Sequence, residues 1–422
     1  MTRLNFGEKE LQIEIPMSNM AFEIEPRFVK GVPDEVAVIR EAIKNPIGCK
    51  QLSTLVNSKM KITILCDDNT RPTPAHKIIP IILEELRQAG LPDSQIKIVI
   101  ASGSHRSMSE EELEEKLGSA VLKRLKISQH HYKDHDNLVD FGTTRRGTRV
   151  WLNKEVAESD FKIAVGNLVP HWPTGWSGGA KILLPGVAGN ETVYMMHLLG
   201  VNEQQLGKTV TPCREEMEDF AKNVGLDFIV NTILNDDGEI LSIVAGDFIA
   251  AHREGVSRGR KVYGVNFPKK ADLTLSSTFP IDYDLFQADK GLFSAALATK
   301  PGGEIILISP CYEGISPTHQ SMVELGGMTE EAIWQLVYNN SFSDLLAAAE
   351  MLGILSLKKQ FQLTLVSEGI SKEVAKSIGL NFVTVSELPQ YISKRLQNSP
   401  ALQIGVLRNS GKLLPLEPRT AV

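Results

Sequence analysis

The segment MKITILCDDNTRPTPAHKIIPIILEELRQAGLPDSQIKIVIA, residues 60–101, decides the fold class. Its two short apolar runs, MKITILC (60–66) and QIKIVIA (95–101), read as buried strands. Between them, HKIIPIILEELRQAG (76–90) spaces its apolar residues as a helix does and ends at a glycine. A strand, a helix and a second strand in this order form a parallel pair with a crossover helix. We therefore predict a parallel sheet with helices on its faces.

Similar patterns continue along the chain and predict an α/β protein. FKIAVGN (161–167) reads as a strand, ETVYMMHLLG (191–200) as a helix, and LDFIVNTIL with EILSIVAG (226–234 and 239–246) as a hairpin. After NFPKK, a second series begins with the strand ADLTLSS (271–277), the helix DLFQADKGLFSAALATK (284–300) and the strand GGEIILIS (302–309). We predict two domains, residues 1–265 and 272–422, each a mainly parallel sheet flanked by helices, with the active site in the cleft between them.

Composition excludes several classes of partner. The 422 residues carry a net charge of −6 and are 42% hydrophobic, so the chain has no basic excess with which to bind nucleic acid. Its four cysteines form no CxxC pair, and no apolar run approaches the roughly 20 residues that a membrane-spanning helix needs. The charged N-terminus does not resemble a signal peptide. We expect a cytoplasmic protein that binds neither nucleic acid nor membrane, with a homo-oligomer left open.

The stretch HWPTGWSGGAKILLPG (171–186) concentrates glycines around one lysine. It does not match a phosphate-binding P-loop, because Ala180 precedes Lys181 and Ile182 follows it. Gly178 and Gly179, after Ser177, allow backbone amides to approach a ligand closely, but an isolated Ser-Gly-Gly is more typical of a plain tight turn before a strand. A Schiff-base lysine and a metal site are further alternatives.

Other polar residues follow predicted strands and should converge, because ligands bind at the carboxyl ends of parallel strands. Imidazoles can transfer protons near neutral pH and can bind nickel, copper or zinc. A guanidinium can hold a small anion, and residues three apart share one face of a helix. These candidates are the histidines His105, His171 and His197, the pair Asp68 and Arg71 in DDNTRPTP, and the pair Gln287 and Lys290 in FQADK. Capping, surface ion pairs and structural histidines are the competing explanations.

Taken together and in order, these motifs resemble the nickel-dependent lactate racemase family. The resemblance runs through DDNTRPTP, ASGSHR, GNLVPHWPTGWSGGAKILLPG, the later His197 and FQADK, across both predicted domains. It implies an isomerase, a racemase or epimerase of 2-hydroxy acids. It also implies a nickel-pincer nucleotide, a pyridinium mononucleotide that holds nickel through one ring carbon and two sulfurs. Partner enzymes that make this cofactor are implied too, and protein produced without them is expected to lack it.

The resemblance assigns a role to each candidate residue. Lys181 would carry the cofactor covalently through a thioamide, and His197 would be the nickel ligand. His105 and His171 would be the general acid/base pair, working while hydride leaves C2 to give a 2-keto acid and returns to either face. The remaining roles are cofactor contacts for Asp68, Ser177, Gly178 and Gly179, and substrate contacts for Arg71, Gln287 and Lys290.

Two positions depart from the family pattern and bear on the substrate. Phe286 stands where lactate racemases carry a tyrosine, and Trp172 and Pro173 follow His171 where some members have a cysteine. The missing hydroxyl argues against lactate itself, so we predict the reaction and leave the side chain of the 2-hydroxy acid open. The alternatives are a binding protein for hydroxy acids without catalysis, a zinc hydrolase using the three histidines, and a Schiff-base enzyme using Lys181.

Overall fold

The computed structural model describes residues 1–201 and 204–417, and its first six-stranded sheet forms around the segment quoted above. Five neighbouring strands are parallel, and the sixth closes an antiparallel hairpin at one edge. In spatial order the strands are Ile240–Gly246, Phe228–Leu234, Phe161–Asn167, Ile62–Cys66, Ile96–Ile100 and Lys126–Gln129.

The second six-stranded sheet is parallel throughout. In spatial order its strands are Asn381–Val383, Gln362–Val366, Thr299–Ile308, Ala271–Ser277, Ile404–Leu407 and Met20–Ile24. The last of these comes from the beginning of the chain, a pairing that the sequence analysis did not predict. Short N-terminal strands carry no local signal for a partner about 380 residues away, because that pairing is set by tertiary contacts.

Four small two-stranded sheets and fifteen α-helices complete the described part of the chain. The small sheets pair Thr2–Phe6 with Lys9–Ile13, Leu138–Thr143 with Arg149–Asn153, Pro170–His171 with Gly175–Trp176, and Gly264–Asn266 with Leu414–Leu416. The helices are Glu35–Lys44, Leu52–Leu55, Ala75–Gln88, Glu110–Leu117, Ser119–Leu122, Lys154–Ala157, Asn190–Leu199, Pro212–Val224, Ala250–Tyr263, Leu285–Ala288, Lys290–Ala298, Glu330–Tyr338, Leu345–Lys358, Lys372–Ser377 and Leu388–Asn398. None of the helices described is long and apolar enough to cross a membrane.

The predicted α/β class is confirmed, and many predicted elements lie within a few residues of their observed bounds. Ser109 caps the helix Glu110–Leu117 in a reciprocal capping box with Glu112. The predicted helix 284–300 differs, because it consists of two helices that meet at Asp289. The division of the chain into units 1–265 and 272–422 stays a prediction.

Strand register places the loops that matter at one edge of each sheet. Cys66 pairs with Ile100 and with Val165, so the turns that follow these three strands start side by side. In the second sheet, the segment after Ala271–Ser277 leads into Leu285–Ala288. One hydrophobic cluster contains side chains from the surroundings of both sheets, including Trp172 and Phe293. These contacts hold the two sets of loops near each other.

Candidate active site

One cavity, with about 1030 Å³ of space not filled by protein atoms and part of it open to solvent, lies where these loops meet. Every residue that the sequence analysis proposed for the site lines it. These are Asp68, Arg71, His105, His171, Ser177, Gly178, Gly179, Lys181, His197, Gln287 and Lys290. Convergence of the strand-end loops is therefore observed, whereas the individual roles stay predictions.

The loops after the first two strands join Asp68 to His105. The Nδ1 of His105 lies 2.6 Å from Oδ2 of Asp68, which leaves Nε2 of the imidazole as the free acceptor. Burial opposes ionisation of Asp68, but hydrogen bonds from His105 and Thr70, with the charges of His105 and Arg71, lower its pKa to about 2. A carboxylate that stays ionised fixes the tautomer and orientation of His105.

A buried lysine that the sequence analysis did not single out organises the same turn. Lys116 donates from Nζ to the backbone carbonyls of Asp68 and Arg71, at 3.1 and 2.7 Å, and pairs with Asp67 at 2.7 Å. Lys116 lies on the helix Glu110–Leu117, which consists mostly of charged residues. In the sequence it therefore looks like an ordinary solvated lysine. Only the fold reveals that it is buried.

A hydroxyl behind His171 fixes the tautomer of its imidazole. Thr174 donates from Oγ1 to the carbonyl of Trp176 at 2.8 Å, so the same oxygen accepts from Nδ1 of His171 at 3.1 Å. Nε2 of His171 is left without a hydrogen. Burial and then the neighbouring cations, beginning with Lys181, hold its pKa well below the ordinary value. His171 is therefore neutral and able to accept a proton.

His197 has the tautomer that a metal ligand needs. Its Nδ1 donates to the carbonyl of Val193 at 2.8 Å within the helix Asn190–Leu199, so Nε2 keeps its lone pair. Burial lowers the pKa of His197 to about 4, aided by the charge of Lys181. An unprotonated imidazole on a helix is a nitrogen ligand whose position the helix holds fixed.

Lys181 places an amine where a positive charge is unfavourable. Burial, followed by the charges of Arg71, Arg214 and Lys290, lowers its pKa to about 7. A large fraction of this amine is therefore neutral at physiological pH, which is the nucleophilic form.

The glycine turn before Lys181 is shaped by close backbone packing. Gly178 and Gly179 have φ of +72° and +59°, and a Cβ on Gly178 would lie 2.8 Å from Oδ1 of Asn231. Asn231 accepts from the amide of Gly179 at 2.8 Å. Ser177 donates its single hydroxyl hydrogen to the carbonyl of Asn167 at 2.8 Å. These contacts with Asn231 and Asn167 hold the turn in place. A residue bulkier than glycine at position 178 or 179 would therefore displace Lys181.

Arg214 supports the same turn and was not anticipated from the sequence. It is 1% exposed and donates to the carbonyls of Gly178, at 3.1 Å, and of Trp176. Burial lowers its pKa to about 10, so it remains charged. The helix Pro212–Val224 carries many charged residues, and nothing in its pattern distinguishes Arg214 from the solvated charged residues of the same helix.

The second sheet contributes Gln287 and Lys290. They lie on successive short helices and not on one helix face as predicted, because the backbone turns at Asp289. Their side chains still meet, since Lys290 donates from Nζ to Oε1 of Gln287 at 2.5 Å. Burial, and then the charge of Arg71, lowers the pKa of Lys290 to about 8. Arg71 and Lys290 thus face the cavity as two cations close enough to influence each other.

Aromatic side chains close the walls of the cavity. Phe286 stacks on His319 with ring centroids 4.7 Å apart, and Trp172 stacks on Phe293 at 4.0 Å. Within residues 1–201 and 204–417, no three His, Cys, Asp or Glu side chains are grouped to hold a metal ion. The three histidines therefore do not form the zinc site considered from the sequence.

The fold and the site define an α/β enzyme whose cavity combines a lysine of lowered pKa, unprotonated imidazoles and a cationic pair. Comparison with known proteins then identifies the family to which this enzyme belongs. The model of the lactate racemase N-terminal domain matches residues 6–208. Lactate racemase of Thermoanaerobacterium thermosaccharolyticum is 30% identical over 321 residues, which cover 72% of this chain and 75% of that protein. Lactate racemase of Lactiplantibacillus plantarum is 32% identical over 286 residues, covering 66% and 67%.

Solved structures share the fold. The lactate racemase apoprotein of T. thermosaccharolyticum superimposes with a TM-score of 0.86 at 24% identity, covering 98% of this chain and 99% of that one. A crystal structure of a Thermotoga maritima protein gives a TM-score of 0.70 at 20% identity, covering 93% and 100%. The chain belongs to the lactate racemase family, as its motifs predicted, and it is a racemase, an enzyme of the isomerase class.

Proposed function

We propose that this enzyme racemises or epimerises a 2-hydroxy acid with a nickel-pincer nucleotide attached to Lys181. The observation that carries the proposal is the grouping of Lys181, His197 and two further imidazoles around one cavity. Membership of the lactate racemase family supports a hydroxy acid as the substrate class.

The residues present fit such a cofactor. Lys181 has a pKa of about 7, so its amine can form a covalent bond at neutral pH. His197 offers Nε2 as a single nitrogen ligand, which suits a metal whose other ligands come from the cofactor. When bound, this group supplies a reversible acceptor for the hydrogen on C2, so that the substrate passes through a planar 2-keto acid.

The two remaining histidines move the proton of the 2-hydroxyl. His105 and His171 each keep Nε2 as an acceptor, because their Nδ1 atoms are bound to Asp68 and Thr174. The two enantiomers present their hydroxyls in different directions, so one imidazole serves each enantiomer as base and the other returns the proton.

A cationic pair holds the carboxylate of the substrate. Arg71 offers a guanidinium fork that matches a carboxylate, and Lys290, oriented by Gln287, adds a second charge. Holding the carboxylate at a fixed point lets C2 turn either face toward the hydrogen acceptor. Two cations also offset the negative charge of the substrate in a largely buried site.

Production of the protein with and without the cofactor-making enzymes tests the proposal. We expect one nickel per chain and a mass increase on the peptide containing Lys181 only after coproduction. The loaded enzyme should racemise at least one member of a panel of chiral 2-hydroxy acids, read by chiral chromatography. A Lys181→Arg variant should remain unmodified in the same host. Loaded wild-type enzyme that leaves every acid of the panel unchanged would contradict the proposed reaction.

A further inference from the structure

His252 is a buried histidine that lies behind the glycine turn, and the proposed reaction has no use for it. It belongs to the helix Ala250–Tyr263 and is 0% exposed. Its side chain does not line the cavity that Lys181 lines, so it has no contact with a substrate there. Burying an imidazole is unfavourable unless its nitrogens are hydrogen-bonded, and the partners of His252 therefore indicate what it does.

The two hydrogen bonds of His252 fix which ring nitrogen carries the hydrogen. Nη1 of Arg253 lies 3.1 Å from Nδ1, and because a guanidinium can only donate, Nδ1 is the acceptor. Nε2 therefore carries the hydrogen and donates to the backbone carbonyl of Ser177 at 3.0 Å. Arg253 is held in turn by Glu218, to which its Nη2 donates at 2.9 Å. Burial, and then the charges of Arg214 and Arg253, hold the pKa of His252 well below its ordinary value, so the ring stays neutral.

The ring of His252 also packs directly against the turn. A Cβ on Gly179 would lie 2.9 Å from Cδ2 of His252, so the ring and the backbone are in close contact there. Arg214 holds the carbonyls on either side of Ser177. Three successive carbonyls of the turn are thus bound by side chains from two helices, two residues before Lys181.

Resting on the proposed function, we infer that His252 is a positioning residue that holds the turn 177–179 so that Lys181 presents its amine to the cavity for the covalent bond. His252 acts through the hydrogen bond from Nε2 to Ser177 and through its contact with Gly179. It does not act through charge, because it is neutral. The charged groups that act on Lys181 are Arg71, Arg214, Lys290 and Asp68. Replacing His252 removes none of them, so a change in the pKa of Lys181 reports a change in the position of the turn.

Two amide substitutions at this position form a matched pair. The amide of His252→Asn reaches only as far as Nδ1 and leaves the carbonyl of Ser177 without its donor, whereas the amide of His252→Gln reaches the position of Nε2. Acetylation of Lys181 in the unloaded wild type should have its midpoint at about pH 7. In His252→Asn we expect the midpoint to rise by about one pH unit, because an amine that moves toward water is charged more easily. In His252→Gln it should stay near the wild-type value.

Ser257→Ala, an exposed position on the same helix, is the control and should leave the midpoint unchanged. All variants are labelled below their melting temperatures, so that a loss of global stability alone does not move the midpoint. An unchanged midpoint in His252→Asn would overturn the inference. Equal shifts in both amide variants would overturn it too, because the hydrogen bond to Ser177 would then have no part in the effect.

The acetylation assay needs no nickel cofactor, so it tests His252 even if the proposed reaction is wrong. In coproduced protein, the fraction of Lys181 that carries the cofactor should fall in His252→Asn and recover in His252→Gln. Equal loading of both variants would contradict a role of His252 in the covalent bond. Wild-type protein that is never modified would contradict the proposed function and leave the acetylation result to decide the role of His252.

If His252→Asn does not fold, the wild type provides a further test. Nitrogen NMR of protein labelled in its histidines should show a neutral ring with the hydrogen on Nε2 at pH 6, and this signal should be absent from His252→Gln. A protonated ring, or a hydrogen on Nδ1, would overturn the inference, because Nε2 could not then be the donor that a neutral His252 offers to Ser177.

Discussion

At the scale of single residues, Lys181 combines a proposed covalent role with a cost in stability. Its pKa is about 7 in the folded protein, against 10.5 for an ordinary lysine. Between these values the unfolded chain binds more protons, so stability rises as the pH increases from about 7 to about 10.5. Below pH 7 the full penalty of a buried charge is present.

We therefore expect Lys181→Met to melt at a higher temperature than the unloaded wild type at pH 6. The difference should shrink as the pH is raised toward 10, because the wild-type amine then loses its charge. Thermal unfolding across this pH range measures the effect, with Lys123→Met on the surface as the matched control. A difference that is constant with pH would mean that Lys181 is not held neutral by its surroundings.

The three histidines should separate by function. His105→Ala removes the imidazole that Asp68 orients and should reduce racemisation by about 10²-fold or more, with nickel retained. His197→Ala removes the available nitrogen ligand and should reduce the nickel content of coproduced protein. Metal analysis and chiral assays on the same preparations distinguish the two roles. Equal loss of nickel in both variants would refute this division.

At the scale of secondary-structure elements, the helix Pro212–Val224 holds the glycine turn through one arginine. Thr211 caps the helix by accepting from the amide of Arg214, and the guanidinium of Arg214 reaches the carbonyls of Trp176 and Gly178. Its charge is also among the causes that keep the pKa of Lys181 low. This helix thus supports the turn that carries the lysine and contributes, after burial and Arg71, to its lowered pKa.

Arg214→Met should lower the free energy of unfolding by about 1–3 kcal/mol, because two buried carbonyls lose their donor. It should also raise the pKa of Lys181, since a neighbouring positive charge is removed. Urea unfolding gives the first quantity, and the pH dependence of Lys181 acetylation gives the second. Arg3→Met, which removes an exposed ion pair with Glu10, is the control. An unchanged labelling profile would argue against an electrostatic role for Arg214.

At the scale of the whole molecule, an aromatic stack joins the loop of the first sheet to a helix beside the second. Trp172 follows His171, and Phe293 lies on the helix Lys290–Ala298; their rings are 4.0 Å apart and inclined by 2°. Gly353 leaves room for this pair, since a Cβ there would approach Trp172 to 3.1 Å. The stack therefore fixes the distance between His171 and Lys290, for which we propose contacts with the hydroxyl and the carboxylate of the substrate.

Trp172→Ala should reduce the free energy of unfolding by about 3–5 kcal/mol, since a large buried side chain is removed. It should also raise KM more than it changes nickel content, because Lys290 loses its fixed position relative to His171. Trp334→Ala is the control, because it makes the same substitution at a tryptophan whose ring stacks on the exposed Tyr338. It should lower the free energy of unfolding by less than Trp172→Ala does. Equal unfolding energies for the two variants would contradict a structural role for the Trp172 stack.

Sequence alone determined the α/β class and the residues that meet in the cavity. Strand periodicity and strand-end turns are local properties, and parallel strands bring their carboxyl ends to one edge whatever the details of packing. For the same reason the motifs DDNTRPTP, ASGSHR and HWPTGWSGGAKILLPG identified the family before any distance was known.

Tertiary structure alone decided which charged residues are buried and which atoms they face. Lys116 and Arg214 lie on helices rich in charged residues, whose patterns give no sign that these two side chains point inward. The strand Met20–Ile24 likewise pairs with a segment far along the chain. Burial, protonation and long-range pairing depend on contacts between elements distant in sequence, and the energies of those contacts are not encoded in any short stretch of residues.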